Sequence, residues 1–306
     1  MNNLPEIQQK TYQVFHINVF TQQIYSGNSA TVIWRSNGLS DKQMQLLARE
    51  FNTSESVFVS IINHELFVRF FTPIQEVASC GHGTIAAAYV AEKMLNRTIT
   101  TLVLNTTVDN IKLSSVNEQY PEYKFEVPIP ILEACIDIPQ NIITSLSNID
   151  VNMLDAYIVN TGSGKNRLLI RCKDESQLLS LSPNFSQLLF DLNKLNLFSV
   201  FVFSIDNQEY TQVSARMFAP NIGINEDPVN GNSSVALSCV IYSICKSTGI
   251  ECPKKYHVNQ GKAVNRKGKT TIHLQYDHNS IRKVELSGAV VELYNFNLPK
   301  LLSLND

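Results

Sequence analysis

Two short helices that are apolar nearly all the way round constrain this chain more than any other feature. One is expected from about His82 to Met94, where Ile85, Ala86, Ala87, Ala88, Val90 and Ala91 leave little polar face. The other is expected from about Asn232 to Cys245, through Val235, Ala236, Leu237, Cys239, Val240, Ile241 and Ile244. Such a helix either spans a membrane or is buried in protein, and about 14 residues fall short of a span. Each must therefore be wrapped by other parts of the chain. The same grammar also introduces both. Arg69-Phe70-Phe71-Thr72-Pro73 leads to Cys80-Gly81-His82-Gly83 and the first helix, and Arg216-Met217-Phe218-Ala219-Pro220 leads to Asn230-Gly231-Asn232-Ser233 and the second. Strand, Phe-x-Pro, Gly-containing turn and apolar helix, once per half, read as an internal duplication.

The wrapping material is strand. β-branched and aromatic runs occur at Tyr12–Phe20, Ala30–Trp34, Ser56–Ile61, Leu66–Phe71 and within Thr98–Val127. They recur at Ala156–Asn160, Arg167–Cys172, Ser199–Ser204, Thr211–Phe218, Tyr256–Asn259, Thr270–Gln275 and Lys283–Leu293. An amphipathic helix is expected from Asp41 through Phe51, and short helices after Cys172. The expected fold is α+β: two pseudo-equivalent domains, each a curved, mostly antiparallel sheet around one central helix, with a cleft between them. The boundaries expected are 1–127 for the first domain and 128–285 for the second, with 286–306 as a C-terminal strand and tail returning to the first. The Pro-rich stretch Pro128–Pro139 reads as the linker.

Charge excludes some functions. Lys plus Arg number 25 against 27 acids, a net charge of −2, so there is no basic footprint for nucleic-acid phosphates or an anionic membrane. MNNLPEIQQK lacks the basic and apolar regions of a secretory signal, and six scattered cysteines read as free thiols in a reducing compartment. The expectation is a soluble, cytoplasmic protein. Cys245, Cys252 and His257 lack the tight paired spacing of structural zinc, so no metal is expected. Gly162-Ser163-Gly164-Lys165 lacks the first Gly and the final Ser/Thr of a phosphate loop and reads as a hairpin turn.

Each central helix begins at a Gly-containing turn, where unused backbone N–H groups and the helix dipole favour an anion. At these residues the chain resembles the PhzF-type phenazine-biosynthesis family, which shares the fold of diaminopimelate epimerase. The matching blocks are Phe20-Thr21 with Gly27-Asn28, Ala48-x-Glu50-x-Asn52-Thr53-Ser54-Glu55, Arg69-x-Phe71-Thr72-Pro73-x-x-Glu76-Val77 and Cys80-Gly81-His82-Gly83-Thr84. In the second half they are Arg216-Met217-Phe218-Ala219-Pro220, Gly223-Ile224-x-Glu226-Asp227-Pro228, and Gln260-Gly261 followed by Arg266.

The resemblance implies an isomerase or epimerase that moves a proton on a small carboxylate-bearing metabolite without a cofactor, often as a homodimer. It implies Glu55 as general base, with His82 and Asp227 as further catalytic residues. Asn18, Cys80, Gly81, Gly83, Asn230, Gly231 and Asn232 would bind substrate. Related epimerases shuttle the proton with two cysteines; one position matches Cys80, but the other matches Asp227. The chain also departs from the family pattern. It reads Asp227-Pro228-Val229-Asn230-Gly231-Asn232 where Asp-Pro-Ala-Thr-Gly-Ser is usual, so an amide replaces a hydroxyl at Asn232. Asn18 stands where an acid is usual, and Ser29 replaces a proline. The rival reading is an idle carboxylate-binding protein of the same fold.

Overall fold

Both apolar helices form, each inside its own unit. The computed structural model describes residues 11–104, 109–117, 119–146, 153–162, 166–277 and 280–299. Six α-helices occur among them: α1 (Asp41–Phe51), α2 (Gly81–Leu95), α3 (Gln140–Leu146), α4 (Glu175–Ser180), α5 (Phe185–Lys194) and α6 (Gly231–Thr248). The architecture is α+β. One unit comprises 1–17, 29–111 and 292–306, and the other 18–28 and 112–291. No helix among the described residues is long and apolar enough to cross a membrane.

In the first unit, strand Asn28–Trp34 runs parallel to Glu55–Ile62, which turns back antiparallel onto Glu65–Phe71. The turn residues Asn63 and His64 both have positive φ, as a two-residue hairpin turn requires. Thr101–Leu104 adds a parallel strand beside Glu65–Phe71. α2 packs on the hairpin, with every residue from His82 to Ala91 buried except Tyr89. A reciprocal capping box between Ser40 and Gln43 starts α1, which buries Met44, Leu47 and Ala48 against the same sheet.

In the second unit one ladder order runs through Ile131–Ile136, Met153–Asn160, Asn166–Cys172, Ser199–Ile205, Gln212–Ala219, Lys255–Gln260, Gly268–Asp277, Ser280–Pro299, Glu122–Val127 and Asn110–Ser115. α6 touches strands from both halves of that order, Gly268–Asp277 as well as the three from Ile131 to Cys172, so the sheet curls around it. α3, α4 and α5 cover part of the sheet's other face through Ile142, Leu146, Leu178, Leu188 and Leu192.

The duplication reaches the side chains. Arg69 grips Glu76 with both Nε and Nη2 at 2.7 Å and lies over the Phe71 ring at 5.0 Å. Arg216 grips Glu226 at 3.0 and 2.7 Å and lies over Phe218, also at 5.0 Å. Each fork-to-fork pair ties its Phe-x-Pro strand to the segment leading to the helix.

Two boundaries differ from expectation. Pro128–Pro139 is no linker, because Ile131–Ile136 is a strand paired antiparallel with Met153–Asn160. Its alternation of exposed and half-buried residues is the period of an edge strand, which the flanking prolines mask. The units also exchange at Ile111/Lys112 rather than at 127/128. Glu122–Val127 pairs with Ser280–Pro299, a long-range ladder that leaves no local mark in composition. Met153–Asn160 and Asn166–Cys172 pair antiparallel with Asn160 opposite Asn166, while residues 163–165 of the expected turn lie outside the described residues.

Candidate active site

The turn into α2 is held by sulfur. Cys80 is the N-cap, its Sγ accepting the Gly83 N–H at 3.2 Å. Gly83 is required here: a Cβ would sit 2.9 Å from the Phe70 ring and 3.0 Å from that sulfur. His82 follows in the first turn with its ring confined. Nδ1 lies 3.5 Å from Cys80 Sγ, and Nε2 lies 2.9 Å from Glu55 Oε2.

Glu55 reaches this place because α1 ends at Asn52 in the left-handed region (φ 49°) and the Thr53 hydroxyl donates to the Glu55 carbonyl at 3.0 Å. The strand then starts with Glu55 opposite Ala30. The side chains of His82 and Glu55 are 7% and 17% exposed. The Oε2 atom is fully buried and, although close to Nε2, has no aligned hydrogen bond.

Burial works against a charged His82, yet Cys80 and the Glu55 carboxylate hold its pKa well above the ordinary histidine value. Burial, and then Glu55, push the Cys80 thiol up. The three groups are thus electrostatically linked, with His82 and Cys80 both displaced upward. A buried imidazole and carboxyl group 2.9 Å apart are close enough to pass a proton directly from one to the other. The same three groups are the one set among the described residues that could hold a metal ion, with ligand atoms all within 4.8 Å of one another. Sequence spacing hides this set, because Glu55 arrives from another strand.

The turn into α6 is built from amides instead. Asn230 is the N-cap, accepting the Ser233 N–H at 2.7 Å. Its Nδ2 donates to Asp227 Oδ2 at 2.8 Å, while Asn28 Nδ2 donates to Asp227 Oδ1 at 2.7 Å. Gln260 accepts the Asn230 N–H at 3.0 Å and donates to the Ser234 hydroxyl at 2.9 Å. Gly231 admits no Cβ without pressing on Leu286 at 2.8 Å. Asn232 follows, half-buried.

The expected residues thus assemble in two groups. Glu55, Cys80, Gly81, His82 and Gly83 meet in the first unit. Asp227, Asn230, Gly231 and Asn232 meet in the second. Asn18 joins the second unit but binds Arg266 at 3.4 Å, with its buried Nδ2 unpartnered. Asn28 and Gln260 had no role assigned from sequence, although both lie in the quoted blocks. A Gln or Asn beside a glycine is the only local signal either one carries.

Comparison with known proteins agrees over nearly the whole chain. The family model described as phenazine biosynthesis-like protein matches residues 17–295. An uncharacterized isomerase of Clostridium acetobutylicum is 33% identical over 304 residues, covering 94% of this chain and 98% of that one. The uncharacterized isomerase YddE of Escherichia coli K12 is 31% identical over 291 residues, 92% of this chain and 97% of that one. A PhzF-family crystal structure from Enterococcus faecalis superposes with a TM-score of 0.75 at 25% identity, covering 94% and 98% of the two chains. A hydroxyproline epimerase from Agrobacterium vitis shares the fold, with a TM-score of 0.59 at 12% identity over 95% and 93%.

Proposed function

As the chain belongs to the family of phenazine biosynthesis-like proteins and is an isomerase, we propose that it shifts a proton on a small carboxylate-bearing metabolite, with Glu55 as the general base. The observation that carries this reading is the buried Glu55–His82 contact at 2.9 Å. Glu55 would take a proton from the carbon next to an electron-withdrawing group. The imidazolium of His82 would stabilise the anion left behind and supply a proton at the receiving atom. One C–H bond breaks and another bond to hydrogen forms, so the reaction is redox-neutral and the two groups return to their starting protonation by passing one proton back.

The substrate carboxylate would rest on the N–H groups of Gly81 and His82 that α2 itself does not use. Gly81, without a side chain, allows that approach. Asp227 has its oxygens committed to Asn28 and Asn230, so we assign it a positioning role, holding the α6 cap.

The test is isotopic. The protein is incubated in deuterated water with a panel of small carboxylic acids, and carbon-bound deuterium is followed by mass spectrometry. Catalytic incorporation into at least one of them is expected. Binding without exchange across the panel would instead favour an idle binding protein.

A further inference from the structure

The second unit contains a large concavity whose lining includes none of Glu55, Cys80, His82 and Asp227. It encloses about 1120 Å³, at or above the upper end of the usual range for small-molecule sites. One wall is the ladder between strands Lys255–Gln260 and Gly268–Asp277. There Lys255 faces His273, His257 faces Thr271, and Asn259 faces Lys269, all lining the concavity. The alternate residues Tyr256, Val258, Thr270, Ile272 and Leu274 are buried, so the period of the strands sorts the cations onto one face.

Each acid of the lining has a partner, a lysine for Glu175 and uncharged donors for Asp174, Asp206 and Glu122. Asp174 caps α4 through the Gln177 N–H, Glu175 takes Lys262 at 2.9 Å, Asp206 accepts the Ser204 and Ser214 hydroxyls, and Glu122 accepts Ser287. Glu285, opposite His273 on the next strand, is held by Lys124 and Lys283. Lys255, Lys267 and Lys269, which also line the concavity, are absent from the ion pairs of the described residues, whose lysines are Lys93, Lys124, Lys262 and Lys283. Burial first, and then neighbouring lysines, hold His257 and His273 below the ordinary histidine value.

We propose that this basin binds an elongated small molecule carrying an anionic group, phosphate or carboxylate, at each end. Two ends suit the site because Lys255 and the position paired with Lys269 are four residues apart, roughly 13 Å along a strand, so that each lysine in its extended form meets a separate anionic group.

Calorimetry at fixed salt tests this with four probes, each two-ended one set against its single-headed counterpart: tripolyphosphate against inorganic phosphate, and suberate against acetate. At least one two-ended probe should bind tenfold or more tightly than its counterpart, and which one does so identifies the headgroup. The double variant Lys255→Gln/Lys269→Gln should weaken that binding at least tenfold. The control Lys194→Gln/Lys246→Gln, with the same change in net charge on α5 and α6, should leave it within twofold. Equal affinity for one-ended and two-ended probes, an equal loss in the control, or no loss in the double variant would overturn the proposal. So would sedimentation showing that Lys255→Glu/Lys269→Glu splits a dimer formed by the parent chain, since the basin would then be an interface.

Discussion

Glu55 and His82 illustrate how much of a site can hang on two side chains. Glu55→Gln keeps the volume and one acceptor but removes the base, so deuterium exchange should fall about 10²–10⁴-fold, while ligand affinity changes far less. Exchange at the parent rate in this variant would reassign the base. The pH behaviour follows from the raised His82 pKa. A raised folded-state pKa means the protonated form is favoured by folding. Its contribution to stability is therefore complete below the unfolded value of about 6.5 and is lost as pH rises through the higher folded value. NMR titration of the His82 ring should show that elevated midpoint, and Glu55→Gln should move it down by removing the neighbouring carboxylate; an unmoved midpoint would mean that Glu55 is not its source. Added Zn²⁺ should inhibit by occupying Glu55, Cys80 and His82, with EDTA reversing the effect; activity lost to EDTA alone would make a metal part of the reaction. At this scale the sequence was legible through the Asn-Thr-Ser-Glu and Cys-Gly-His-Gly blocks. What it hid is the 2.9 Å contact, which joins residues 27 positions apart and depends on where one strand starts.

The two helix openings solve one problem with different chemistry, a thiol cap on α2 and an amide cap on α6. Asn and Asp are ordinarily equivalent as N-caps, and their loss to Ala costs about 1 kcal/mol. At Asn230 the equivalence should fail. Its Nδ2 is 2.8 Å from the buried Asp227 carboxylate, so Asn230→Asp would set two carboxylates against each other. Urea denaturation should rank Asn230→Asp at least as destabilising as Asn230→Ala, and an Asp variant as stable as the parent chain would show that the Asp227 contact contributes nothing. Both helices were legible as elements because their apolar character runs all round. The strand Ile131–Ile136 was not, since three flanking prolines at 128, 130 and 139 outweigh a period of two that spans only six residues. Edge strands tolerate nearby proline because one side of the ladder needs no partner.

At the scale of the molecule, the repeated Arg–Glu grip and Arg-over-Phe stacking show that the duplication recognised in the sequence is structural. Its boundaries are not, because each unit draws on segments far apart in the chain. Residues 18–28 leave the first unit's sequence for the second, and residues from Glu292 onward return to the first. That return is made of specific contacts. Tyr294 stacks on His16 at 5.0 Å, Phe296 meets Phe51 edge-on at 6.3 Å, and Glu292 accepts Lys93 at 2.7 Å. The aromatic pairs should contribute about 0.5–1.5 kcal/mol each beyond area burial, whereas the partly exposed ion pair adds little. A chain ending at Val291 should therefore lose at least about 1–3 kcal/mol from the first unit, and each kcal/mol lowers the melting temperature by about 3–6 °C in a unit of this size. The readout is built in: the single tryptophan, Trp34, lies buried in that unit. Its fluorescence should report a transition several degrees lower in the shortened chain. The double variant Tyr294→Ala/Phe296→Ala should reproduce most of that shift without removing backbone. If Trp34 unfolds at the parent temperature in both, the returning strand is not what holds the first unit together.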